Sequence, residues 1–214
     1  ERNETNLGYA QNFSRAMSLC SGDLIFPCDQ DDQWLPEKLA RHLALAGAFP
    51  HKACFLTDTY LADGELTPSG ETKMQRMAEM GLPRDEFVMG CCASIRKDYL
   101  ELIMPVPETE ASHDGWIVRF FRQLNLVEWT QEPLQLYRLH GANASDFFVN
   151  DPEQLTLKKR ISTKLRRRIA SLSDGSGMAM EYLFYHAFCQ IMLSRKADII
   201  AVTSERQFRK AYDD

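Results

Sequence analysis

An apolar run that breaks off into acids constrains this chain most: Leu24-Ile25-Phe26-Pro27-Cys28, then Asp29-Gln30-Asp31-Asp32-Gln33-Trp34-Leu35-Pro36. Residues 24–28 read as a short buried strand. Pro36 reads as the first position of a helix, where its missing N–H goes unused. The carboxylates then stand at the C-terminal end of a strand, where open α/β sheets bind ligands. Acids this close repel one another unless a cation or hydrogen bonds compensate. Oxygen ligands of this kind suit Mg²⁺ or Mn²⁺, held through one or two carboxylates plus substrate phosphates. The same residues also read as a turn with a helix N-cap, because Asp side chains bond neighbouring backbone N–H groups. The run alone leaves both readings open.

Composition narrows the class. A chain of 214 residues makes one domain, or one domain with an appendage. A net charge of −5 gives no basic field to neutralise phosphates, which excludes a general nucleic-acid binder. The six cysteines show no CxxC spacing and no zinc-like pairing with histidine, so they read as reduced, mostly buried thiols of a cytosolic protein. No stretch reads as a transmembrane span. The chain opens on a polar stretch that runs into a helix, and its first strand-like segment comes only at Leu24. A strand that apolar is expected to be central, so upstream strands are expected to be missing from the sequence.

Periodicity predicts a helix over 6–20, with Leu7, Ala10, Phe13, Ala16 and Met17 near helical spacing, and a second over 36–48. Residues 53–62 read as a strand ended by Asp63-Gly64. Residues 65–83 read as a long excursion with a short helix over 72–80. Residues 87–95 form a second apolar strand in which Gly90 permits close approach of backbone or ligand, or marks a bulge. A short helix follows over 96–103. Ser112-His113-Asp114-Gly115-Trp116 opens another, with Ile117, Phe120, Phe121 and Leu124 as its stripe. Residues 126–129 and 134–139 read as two short strands separated by Gln131-Glu132-Pro133. Beyond residue 150 the character changes. Residues 158–172 read as a basic amphipathic helix, 173–177 as a turn, 180–193 as an apolar helix and 203–212 as a polar, helical tail. The expected division is a domain over 1–150 and a helical extension over 151–214.

Several motifs come in a telling order: Asn6-x-Gly8 with Asn12, Gly22-Asp23, the 29–38 run, Gly90-Cys91, His113-Asp114-Gly115-Trp116, and Tyr137-Arg138-x-His140-Gly141-x-Asn143. Across residues 6–143 the chain resembles the bacterial family-2 glycosyltransferases, particularly the rhamnosyltransferase-like ones. The resemblance implies an α/β fold, a Rossmann-like mixed sheet of glycosyltransferase type A (GT-A). Here it would lack the first βα units that hold the nucleotide base, and would carry a C-terminal helical appendage. It implies inverting transfer of a sugar from a nucleotide diphosphate to an acceptor hydroxyl, in assembly of a bacterial surface polysaccharide. The donor would be UDP- or dTDP-linked and the acceptor a glycan or a lipid-linked sugar. The competing classes are another Mg²⁺-dependent phosphate enzyme and an inactive binding module.

The same resemblance assigns roles. Asp29 and Asp31 fall on the family's DxD element, with Asp31 as the direct ligand of Mg²⁺ or Mn²⁺ and Asp29 nearer the ribose or a metal-bound water. Asp32 either joins them or caps the next helix. Asp114 falls on the catalytic base, and otherwise reads as an acid favoured in a helix's first turn. His113, where the family usually has Glu, orients the acceptor or caps the helix, and Trp116 stacks on the acceptor sugar or packs. His140 completes the metal or diphosphate site or is a packing residue. Arg138 pairs with phosphate or with an acid such as Glu132. The QxxRW motif of processive synthases is absent, which favours single addition. The basic helix over 158–172 either docks on anionic lipid or is a solvated face. A cytoplasmic location, at the inner face of the plasma membrane, goes with the first of these.

Overall fold

The computed structural model describes residues 2–110, 112–140 and 176–213. The basic stretch over 158–172, and Gly141 and Asn143 of the last motif, lie outside the described residues. One mixed sheet organises the rest, in the order β1 (Leu24–Ile25), β5 (Ala93–Arg96), β3 (Cys54–Ala62), β6 (Val127–Arg138), β2 (Gln33–Trp34), with β4 (Pro68–Thr72) also paired to β3. β3 is central and buried along nearly its whole length, as a strand covered on both faces must be. It runs parallel to β6 and antiparallel to β5 and β4. This mixed α/β sheet with a C-terminal helix agrees with a GT-A type, Rossmann-like fold.

Among the described residues six helices accompany the sheet: α1 (Gly8–Ser18), α2 (Lys38–Ala48), α3 (Lys73–Glu79), α4 (Lys97–Ile103), α5 (His113–Gln123) and α6 (Ser176–Asp213). Local chemistry sets several of their ends. Thr72 and Gln75 close a capping box on α3, and the Ser112 hydroxyl accepts from Gly115 N–H at the start of α5. α1 is tied to the segment before α5, because Ser14 Oγ accepts from Val106 N–H and Gln11 Nε2 donates to Val106 O. α6 packs Phe184 and Phe188 onto Trp116 and Phe120 of α5, and Tyr99 of α4 reaches Thr203. Among the described residues no helix is long and apolar enough to cross a membrane.

The structure corrects several expectations. Residues 87–95 are not one strand: two 3₁₀ turns, Arg84–Glu86 and Gly90–Cys92, precede a β5 of four residues. Phe87, Met89, Cys91 and Cys92 are nonetheless buried, so the apolar run recorded burial and not extension. The two strands expected over 126–139 are one, β6, with a register shift: Leu56 faces Trp129 while Asp58 faces Pro133. Thr130 to Glu132 take up the slack, and Pro133 sits at the irregularity, where a missing donor is tolerated. The 65–83 excursion contains β4, which the reading missed. β1 pairs only with β5 among the described residues, although it was expected to be central. The C-terminal helices are a single helix, since no Gly or Pro interrupts the chain after Gly177. Three of the six thiols, Cys20, Cys28 and Cys189, are exposed.

Candidate active site

The acid loop joins β1 to β2 and lies across the C-terminal end of β6. Arg138, the last residue of β6, holds it there. Its backbone N–H donates to Asp32 Oδ1 (3.1 Å), its Nε to Asp31 O (2.8 Å) and its Nη1 to Gly64 O. Glu132, the other partner considered for it, pairs with Arg41 instead. Asp31 turns its carboxylate to His140, Nε2 to Oδ2 2.7 Å. Asp29 and Asp32 turn the other way. With Cys91 they bring their ligand atoms within 4.8 Å of one another. Asp32 is thus no mere helix cap, and the tight cluster contains it in place of Asp31.

Burial governs the charge of this cluster. The Asp32 carboxyl is pushed up to about 6, by loss of water and then by the neighbouring Asp29 and Asp31, against hydrogen bonds from Arg138 N–H and the Cys91 thiol. Asp29 is raised for the same reasons, and Asp114 adds to its repulsion. Cys91 is held well above the ordinary thiol range by its hydrogen bond with Cys92 and by burial, so it stays a thiol.

Asp114 lies in the first turn of α5. Its Oδ2 accepts from Gly90 N–H at 3.1 Å. Gly90 makes this possible: a Cβ there would come 2.9 Å from His113 Nε2 and 3.2 Å from Asp114 Cβ. The next residue is Cys91, so the Gly90-Cys91 turn joins the acid cluster to Asp114. His113 does not cap α5, which Ser112 does, and it does not face solvent. Its ring stacks on Phe13, centroids 4.1 Å apart, and burial lowers its pKa, leaving it neutral. Both ring nitrogens are buried without a hydrogen-bond partner. Trp116, proposed to stack on the acceptor, is fully buried among Ile103, Phe120 and Phe184, and its Nε1 donates to Ile103 O. It has no surface to offer a sugar. That expectation is corrected, because the one-turn spacing from Ser112 sends this side chain into the core.

Three residues of the site went unread in the sequence. Lys38 is fully buried beneath the cluster, and Gln135 of β6 lies between it and Asp32. Tyr9, about half exposed, sets its ring edge-on to His113 and hydrogen-bonds the Ser112 side chain, close enough to feel the charge of Asp114. A lysine at the first position of an amphipathic helix and a glutamine alternating along a strand carry no local sign of these contacts. Tyr9 beside the Asn6-x-Gly8 motif was the one available signal.

Residues 1–103 match the model of glycosyl transferase family 2. This stretch includes the acid loop, Lys38, β3 and Gly90-Cys91; Asp114, Gln135, Arg138 and His140 come after it. No curated protein matches the chain. The match makes the first 103 residues similar to the family-2 glycosyltransferases, which transfer a glycosyl group from a nucleotide sugar to an acceptor. The cluster fits the divalent cation such transfer commonly uses. Asp29 and Asp32 are hard oxygen ligands whose mutual repulsion a cation would relieve. The Cys91 thiol is a poor ligand for a hard cation, and its single S–H can donate to one of the two carboxylates at a time.

Proposed function

We propose that the protein is an inverting, metal-dependent glycosyltransferase that adds one sugar from a UDP- or dTDP-linked donor to a hydroxyl of a glycan or lipid-linked acceptor. Surface polysaccharide synthesis in bacteria, at the inner face of the plasma membrane, is the setting this reading favours. Asp29 and Asp32 would hold Mg²⁺ or Mn²⁺, which would supply the positive charge that a leaving diphosphate needs. Asp31, paired with His140, flanks the diphosphate, and Arg138 fixes the loop that carries all three acids. Asp114 takes the proton of the acceptor hydroxyl as it attacks. The Gly90 N–H keeps that carboxylate aimed, while the neutral His113 and Phe13 support it from behind. Tyr9 offers the exposed aromatic face beside Asp114 against which an acceptor ring can lie.

One observation carries the reading: Gly90-Cys91 ties Asp114 on one side to Asp29 and Asp32 on the other, in a chain whose first 103 residues match the family. The test is thermal unfolding with Mn²⁺ and UDP or dTDP. The melting temperature is expected to rise with metal and nucleotide together. Asp32→Ala should abolish the rise and Asp31→Ala should reduce it. An unchanged melting temperature in the wild type with every combination overturns the reading.

A further inference from the structure

Among the described residues Lys38 is the one lysine with no solvent exposure, and its ammonium hydrogen-bonds no carboxylate. Its Nζ donates to Cys91 O at 2.5 Å and to Gln135 Oε1, and lies 4.6 Å above the Trp34 ring. Gln135 is equally buried. Its Nε2 donates to Asp32 Oδ2 and to Cys91 Sγ, both at 3.1 Å. An ammonium has donors only, so the carbonyl end of Gln135 must face Lys38. The amide end must then face Asp32. With Lys38 replaced by an apolar side chain, the buried Gln135 Oε1 would lose its donor, and the amide would be held only from its Nε2 end.

We propose that Lys38, acting through Gln135, is the positioning residue that sets the Asp32 carboxylate for a divalent cation. Asp32 then has a donor on each oxygen: Arg138 N–H on Oδ1 and Gln135 Nε2 on Oδ2. The carboxylate so held lies in one cluster with Asp29, their ligand atoms within 4.8 Å of one another. A buried ammonium is costly to desolvate, and a methionine would fill the same space, so the charge is retained for what it orients. The inference rests on Asp29 and Asp32 being the cation's ligands.

A lysine that merely balanced the acids would repel a cation, and its removal would tighten metal binding. A lysine that positions Asp32 does the reverse. The two roles therefore predict opposite signs. The experiment titrates Mn²⁺ alone into the full chain near neutral pH and follows the loss of the free-ion electron paramagnetic resonance signal. Near-ultraviolet circular dichroism verifies the fold of each variant. Lys38→Met should weaken Mn²⁺ binding by roughly tenfold to a hundredfold, the range seen when an outer partner of a metal ligand is lost. Gln135→Met should do the same, and the double variant should add little to either. Should Lys38→Met not fold, Gln135→Met carries the test, since it keeps the lysine and its bond to Cys91. Equal or tighter binding in Lys38→Met, or unchanged binding in Gln135→Met, overturns the inference while leaving the ligands in place. A wild type that takes up no Mn²⁺ overturns the ligand assignment itself.

Discussion

A Cβ at position 90 would come 2.9 Å from His113 Nε2 and 3.2 Å from Asp114 Cβ, closer than van der Waals contact, and the half-buried Asp114 can give way more readily than the buried His113. Gly90→Ala should therefore push Asp114 off the Gly90 N–H without unfolding the chain. A displacement of about 1 Å at a reacting group costs roughly a hundredfold in rate, and nucleotide release from a sugar donor in the presence of acceptor would record it. Asp114→Asn should cost at least as much and leave Mn²⁺ uptake unchanged, because the cation's ligands are elsewhere. Asp32 makes a different prediction. Its folded-state carboxyl titrates at about 6 against about 4 in an unfolded chain. Between these values the unfolded chain ionises first, so without metal this group lowers stability as pH rises through that window, and the cost persists above it. Asp32→Asn removes the cost. Its gain in melting temperature over the wild type should be larger at about pH 7 than at about pH 4. The acids and Asp114 were legible in the sequence because local motifs carry them. The pairing of Asp29 with Asp32, and not with Asp31, was not, because it depends on Arg138 and His140 arriving from the far end of β6.

Elements were legible where one periodicity governed them, as in α1, α2, β3, α4 and α5. They were misread where burial arose without it. The 87–92 segment is apolar because it runs under α5, and Arg122 holds it there by donating to Phe87 O and Asp85 O. No local pattern separates that from a strand. β6 looked like two strands because Pro133 interrupts its pattern, yet pairing with β3 carries the strand across the irregularity. α6 shows the same dependence on long-range contact. Its Phe184 is almost fully buried against Trp116, with the Arg119 guanidinium 4.2 Å from its ring centroid. Phe184→Ala should cost about 3 kcal/mol in denaturant unfolding, as large-to-small changes at aromatic core positions do. Trp116 lies less than one turn from Asp114, so the variant's transferase rate should fall as well. Ser112→Ala, which removes the cap of α5 and the hydroxyl that Tyr9 hydrogen-bonds, should cost about 1 kcal/mol.

Across the molecule, the candidate site is assembled from both sides of the sheet's midline. The acid loop is fixed by β2 and the end of β6, while Asp114 is fixed by α5. Between the two, Cys91 takes Lys38 on its carbonyl, and its thiol lies beside both carboxylates. Such a site is strained by its own charge when no cation is bound, since two half-buried carboxylates face each other with their pKa values raised. Binding and protonation then compete for the same oxygens. A proton relieves the repulsion below about pH 5, and a divalent cation relieves it above about pH 6, so Mn²⁺ should stabilise the fold more as pH rises through that interval. At a free Mn²⁺ concentration of about a hundred times the dissociation constant, the gain should approach about 2.7 kcal/mol near pH 7. At about pH 5 the same Mn²⁺ should give a markedly smaller gain, because the proton on Asp32 must first be displaced. Melting curves at the two pH values, with and without Mn²⁺, measure both. A gain of equal size at both would mean that the cation binds groups that do not titrate in this range, and the Asp29–Asp32 pair would lose its assignment. A gain that vanishes at low pH in the wild type and at both pH values in Asp32→Asn would tie the stability of the whole fold to the one carboxylate that Lys38, Gln135 and Arg138 hold in place.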